Sequence, residues 1–152
     1  MAEIAVLLGS KSDITYWEES KAYLEYFDLN ADLHILSAHR TPDKVAEFAR
    51  NASNSGYKVL IAGAGMAAHL AGVLAAHSTL PVLGVPLPGG VLDGMDALLS
   101  TVQMPAGVPV ATFAVGKAGM RNALIFAVQI LANERKDLKE KLAAFKAQGA
   151  RL

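Results

Sequence analysis

The stretch Leu33-His34-Ile35-Leu36-Ser37-Ala38-His39-Arg40-Thr41-Pro42 decides how the chain is read. Its opening is a short apolar run with a sharp polar stop. That length favours a buried strand over a helix, and the strand is predicted over Leu33 to Ser37. Thr41-Pro42 then opens a helical pattern, because threonine is a good N-cap and proline is favoured at the first helical position. Val45, Phe48, Ala49 and Ala52 supply the buried stripe of that helix, and Gly56 is its stop signal. At the junction stand a hydroxyl, an imidazole and a guanidinium, from Ser37, His39 and Arg40. Such a set binds a phosphate and moves a proton in one place, so a strand-to-helix turn and candidate chemistry coincide.

Working outward, the same alternation repeats. Ile4 to Leu8 is a continuous apolar run ended by Gly9, which reads as a strand buried on both faces. A helix is predicted from Asp13 to about Phe27, with Tyr16, Tyr23, Leu24 and Phe27 on one face. Further strands are predicted at Tyr57 to Ala62, Pro81 to Val85 and Val108 to Val115. Helices are predicted from Met66 to about His77, from Asp93 or Gly94 to Val102, and from about Ala118 to Ala132. A charged helix follows from Glu134 to about Gln148, with the stripe Leu138, Leu142 and Phe145. Strands that alternate with helices form a parallel sheet covered on both faces. The expected fold is therefore α/β: a three-layer αβα sandwich with a five-stranded parallel sheet in the flavodoxin-like order 2-1-3-4-5. Residues 1–152 form one domain, and the C-terminal helix, 134–150, is expected to pack on a neighbouring subunit.

Composition narrows the function classes. Hydrophobic residues are 53% of the chain and charged residues 18%, which is apolar for a monomer and points to a homo-oligomer. Fourteen basic and fourteen acidic side chains cancel without forming a basic patch, which argues against nucleic acid. The absence of cysteine excludes disulfides and thiolate catalysis, and fits a reducing compartment. The first residues lack the charged start and apolar core of a signal peptide. No apolar run approaches the roughly 20 residues of a membrane span. A soluble cytoplasmic protein is expected, and no His/Asp/Glu spacing suggests a metal.

In an open parallel sheet of this order, ligands bind beyond the carboxyl ends of the strands, between strands 1 and 3. The three loops that meet there carry Gly9-Ser10-Lys11-Ser12-Asp13, Ser37-Ala38-His39-Arg40 and Gly63-Ala64-Gly65-Met66-Ala67-Ala68-His69. Taken alone, each has a plain structural explanation. Ser10, Ser12 and Asp13 suit an anion and ribose hydroxyls, but they are also ordinary helix caps. Gly63, Ala64 and Gly65 let a backbone approach a flat ligand, yet they lack the full dinucleotide spacing. His69, expected in the first turn of its helix, reads equally as a pocket residue or a helix-face polar residue. His34 reads as structural, and His77 as the end of a helix.

The same motifs resemble those of the PurE family, the N5-carboxyaminoimidazole ribonucleotide mutases. The resemblance rests on Gly9 to Asp13, Ser37 to Pro42, Ala62 to Leu70, Pro81 to Pro86, Val102-Gln103-Met104-Pro105, Gly116-Lys117-Ala118-Gly119 and Asn122. Arg40 and the run Ala67-Ala68-His69 resemble the microbial mutase class rather than the related carboxylases of animals. The resemblance implies a phosphate held by Ser10, Ser37 and Arg40 and supported by helix N-terminal N–H groups. It also implies ribose hydroxyls on Asp13 and an aminoimidazole lying against the Gly63–Ala68 backbone. Ser12, Ala67, His69 and Leu70 complete the substrate-binding set, and His39 is the catalytic acid and base. It implies no cofactor, a small-molecule ribonucleotide as partner, and an octamer. Met66 stands where that family usually has glycine, Ala71 where it has proline, and Gly89 and Ala97 where it often has serine. Readings from other classes are a flavin- or nucleotide-binding module and a ligand-free oligomerisation domain. A carboxylase that uses free CO2 is closer.

Overall fold

Strands β1 (Ile4–Leu8), β2 (Ala31–Ile35), β3 (Val59–Ala64), β4 (Val82–Pro86) and β5 (Ala111–Thr112) form one parallel sheet in the order β2-β1-β3-β4-β5. This is the expected flavodoxin-like order, seen in a computed structural model that describes residues 2–152. Every residue of β1 is fully buried, as a central strand covered on both faces requires. Alternation sends Ile4, Val6 and Leu8 to one face and Ala5 and Leu7 to the other.

The first face is covered by α1 (Ile14–Glu18), α2 (Ala22–Tyr26), α6 (Lys117–Leu131) and α7 (Lys136–Ala147). The second is covered by α3 (Pro42–Asn51) and α4 (Leu70–His77). α5 (Met95–Val102) lies against β4, where Gly84 makes room for it. A Cβ on Gly84 would stand 2.5 Å from Thr101 Cγ2 and 2.8 Å from Val110 Cγ1. Among the described residues no helix is long and apolar enough to cross a membrane.

Several elements differ from expectation. The helix predicted from Asp13 to Phe27 is two short helices preceded by a 3₁₀ turn, Lys11–Asp13. Between them the backbone tightens to three-residue steps, Ser20 N–H to Trp17 O at 2.9 Å and Tyr23 N–H to Ser20 O at 3.0 Å. Apolar spacing is insensitive to one tightened turn, because Trp17, Leu24 and Phe27 still reach the core. β5 is only Ala111–Thr112 of the predicted Val108 to Val115: as an edge strand it has one neighbour, and Val108 is already turned back to Pro105 O at 3.2 Å. The second and third strands each run two residues off the predicted bounds.

The stripe of α7 is not left for another subunit. Leu138 and Phe145 are buried in this chain's own core with Leu142 packed beside them. The Phe145 ring centroid lies 5.4 Å from that of Tyr26 and 5.5 Å from that of Phe27. What α7 has to offer a neighbour is its charged remainder. At the opposite edge of the sheet from the strand C-termini, Lys58 Nζ lies 3.0 Å from Glu3 and 3.1 Å from Glu134. Arg135 bridges Glu3 at 3.2 Å and Asp137 at 2.8 Å. The hydrogen bond from Lys58 is the main reason that the Glu3 carboxyl titrates below its usual range.

Phe145→Ala is expected to lower stability by about 3–5 kcal/mol in urea denaturation, the usual range for emptying a buried phenylalanine site. A loss below about 1 kcal/mol would show that α7 is not part of this core.

Candidate active site

The parallel register brings three loops to one place. Leu8 pairs with Ile35 on one side and with Gly63 on the other, so β1, β2 and β3 end level. Gly9 N–H donates to Gly63 O at 3.1 Å, and Leu36 N–H donates to Leu8 O at 3.0 Å. Beyond these bonds opens a cavity of about 330 Å³, within the range of small-ligand sites.

Its walls are Gly9, Ser10, Ser12 and Asp13 from the first loop and Ser37 to Arg40 from the second. Ala64 to Leu70 come from the end of β3 and the loop after it, and Pro88 from beyond β4. Ser10, Ser12, Asp13, Ser37, His39, Arg40, Ala64, Gly65, Ala67, His69 and Leu70 thus share one cavity. Gly63 does not: it sits inside β3, where a Cβ would stand 2.8 Å from Leu8 Cδ2. Its missing side chain serves strand packing, and its close backbone approach is to Gly9. Pro88 also lines the cavity, and its place just past the fourth strand is the one signal for it in the sequence.

Both loop serines are set as donors. Ser10 Oγ accepts from Ser12 N–H at 3.3 Å and from the Ser12 hydroxyl at 2.9 Å. Ser37 Oγ accepts from Arg40 N–H at 3.2 Å. In each case the bonds use the oxygen and leave the hydroxyl proton to point elsewhere, which suits an anion. The Thr41 hydroxyl does not cap α3 as expected. It donates to Ser37 O at 3.0 Å and so braces the His39–Arg40 turn. α1 has only five residues, so it lends little to an anion beyond the serines themselves.

His69 stands at the N-cap position of α4, one step before the helix rather than in its first turn. There its Nδ1 is 2.6 Å from Nε2 of His39, with the two rings inclined at 73°. One facing nitrogen donates and the other accepts, so a single proton lies between them. Thirty positions of sequence separate these residues, and only the level ends of β2 and β3 bring them into contact.

Asp13 is half-buried, and burial is the main cause that raises its carboxyl above the usual range. Hydrogen bonds from the Ser10 backbone and the Ser12 side chain partly oppose this. The third loop is strained: Met66 and Ala68 hold positive φ of 52° and 39° in a turn closed by Ala68 N–H to Gly65 O at 3.0 Å.

Fold and cavity together define a doubly wound α/β protein with a candidate ligand site at the topological switch between β1 and β3. The model of the family described as AIR carboxylase matches residues 3–151, and the chain belongs to that family, the family of PurE. It is 51% identical to the N5-carboxyaminoimidazole ribonucleotide mutase of Haemophilus influenzae, over 95% of this chain and 88% of that one. The protein of the same name from Escherichia coli is 48% identical, over 93% and 83% of the two chains. That from Pyrococcus abyssi is 46% identical, over 96% and 83%. The solved structure of Treponema denticola PurE has the same fold, with a TM-score of 0.85, 24% identity, and coverage of 97% of this chain and 90% of that one.

Because the folded-state pKa of Asp13 is raised, its ionisation at neutral pH works against the fold. Its favourable contribution is complete below the unfolded carboxyl pKa and is lost as pH rises through the folded value. Its side chain makes no cap bond to α1. Asp13→Asn is therefore expected to melt at a modestly higher temperature than the parent at pH 7, with the difference closing toward pH 3. A lower melting temperature at pH 7 would mean that the carboxylate anchors the loop.

Proposed function

We propose that this chain moves the carboxylate of N5-carboxyaminoimidazole ribonucleotide from the exocyclic nitrogen to ring carbon C4. The product is 4-carboxy-5-aminoimidazole ribonucleotide, and the setting is purine biosynthesis. One observation carries the reading. Ser10, Asp13, Ser37, His39, Arg40 and His69 surround a single cavity, in a chain whose curated relatives are named for this conversion.

The roles follow from the chemistry of each group. The free hydroxyl protons of Ser10 and Ser37 and the Arg40 guanidinium hold the phosphate. Asp13 accepts hydrogen bonds from ribose hydroxyls, and those bonds favour the ionised form that burial disfavours. The heterocycle lies against the backbone of Ala64 to Ala68. His39 gives a proton to the carbamate nitrogen, the N–C bond breaks, and CO2 leaves aminoimidazole ribonucleotide behind. Ring carbon C4 attacks that CO2 and forms a C–C bond. His39, now the base, removes the hydrogen from C4, which restores aromaticity and returns His39 to its starting state. His69 fixes the plane of the His39 ring through their shared proton. Acid–base help is worth about 10²–10⁴-fold, and holding CO2 against C4 is a proximity effect. The steps sum to an isomerisation, so they call for no metal, ATP or biotin.

The exposed apolar side chains of Met95, Leu99 and Val102 on α5 support a homo-oligomer, with an octamer as the proposed form. The cysteine-free composition supports work in the cytoplasm. The decisive assay compares turnover of the carboxyamino substrate with turnover of aminoimidazole ribonucleotide plus bicarbonate. Preference for the first supports the mutase. Activity with the second alone would make the chain a carboxylase, and retention of flavin by the purified protein would point to a binding module.

His39→Asn is expected to cut turnover at least about 100-fold while nucleotide affinity, read by calorimetry, stays near the parent value; normal turnover would remove His39 from the mechanism. Arg40→Ala is expected to weaken binding of the phosphorylated ligand about 10- to 100-fold, the scale of one charged hydrogen-bonding group. The corresponding nucleoside should lose far less, and equal losses would rule out a phosphate clamp.

A further inference from the structure

Met66 is an anomaly of the third loop. Its φ of 52° lies in the left-handed region, which residues with a Cβ enter at a cost. Burial does not offset that cost, since Met66 is 64% exposed. It nonetheless lines the cavity, in common with the polar first loop and Pro88. Its Cγ occupies the space next to Gly90: a Cβ built on Gly90 would come within 3.0 Å of it. Gly90 belongs to a segment between β4 and α5 in which Gly89, Gly90, Asp93 and Gly94 all hold positive φ. The two loops approach each other here, and the absence of a side chain at 90 is what lets the methionine sit there.

A thioether side chain is flexible and polarisable, and it adapts to flat apolar or aromatic surfaces. We propose that Met66 is a specificity-determining residue for the heterocycle: seated on Gly90, its side chain folds over the cavity rim, packs on the outer face of the bound ring, and ties the Gly89–Gly94 segment to ligand binding. The bound ring supplies burial for this exposed side chain. This inference rests on the ribonucleotide reading of the cavity.

Three substitutions separate cover from strain. Met66→Ala keeps the left-handed residue and removes the cover, Met66→Gly removes both, and Met66→Leu keeps both. Steady-state kinetics on the carboxyamino substrate should show KM raised about five- to tenfold in the alanine and glycine variants, the scale of one partly buried apolar side chain. The leucine variant should stay near the parent value, and kcat should change less than KM throughout. The glycine variant alone should melt about 2–4 °C higher, from relief of strain in a domain of this size. Gly90→Ala should damage KM more in the parent than in the Met66→Gly background. An unchanged KM in Met66→Ala, or equal effects of Gly90→Ala in both backgrounds, overturns the proposal. A parent protein with no turnover of that substrate would overturn the reaction reading itself, and this inference with it.

Discussion

The ligand end of this molecule depends on three parallel strands that end level. Leu8 is in register with both Ile35 and Gly63, and the two backbone bonds just past them fix where three loops begin. A slip of one residue in either pairing would turn the flanking strand over and send its apolar residues to the wrong layer. The full burial of β1 penalises that slip on both faces. The position of the His39 imidazole is thus set by the packing of the strands beneath it.

The same constraint explains what the amino-acid string discloses. Apolar runs bounded by glycine or proline locate β1, β3 and β4, and alternation with helices gives the strand order. Topology then groups the chemically loaded loops. Less legible are features that depend on partners distant in the chain. The Thr41 hydroxyl reads as a cap until Ser37 O is seen beside it. Gly63 reads as a loop glycine until Leu8 and Met120 are seen to fill the space around it. The contact of His39 with His69 needs two strand ends in register, which no local pattern encodes. β5 shows the converse, because an apolar edge segment looks like a long strand whether or not a neighbour pairs with it.

The site combines rigid and strained parts. The Ser10 and Ser37 oxygens are held by local bonds from the residues that follow them, which positions both hydroxyls. Asp13 is held where burial disfavours its charge, and the third loop carries two residues in a costly backbone region. Such costs persist where the surrounding structure over-determines them, and they gather at places that bind or react. On the proposed reading, ribose hydroxyls that donate to Asp13 offset the cost of burying its charge.

The ionic cluster around Glu3, Lys58 and Arg135 sits at the edge of the sheet far from the cavity. Its members are partly solvated, so dissolved salt weakens their attraction. Under the proposed function the same salt also screens the substrate phosphate from Arg40 at the other end of the strands. On that reading ionic strength acts twice through separate groups, loosening the start of α7 in one place and the proposed grip on a nucleotide in the other. Because the two effects share no residue, a buffer change that softens the scaffold and one that slackens the proposed ligand capture can be told apart by melting the protein alone and by titrating it with the nucleotide.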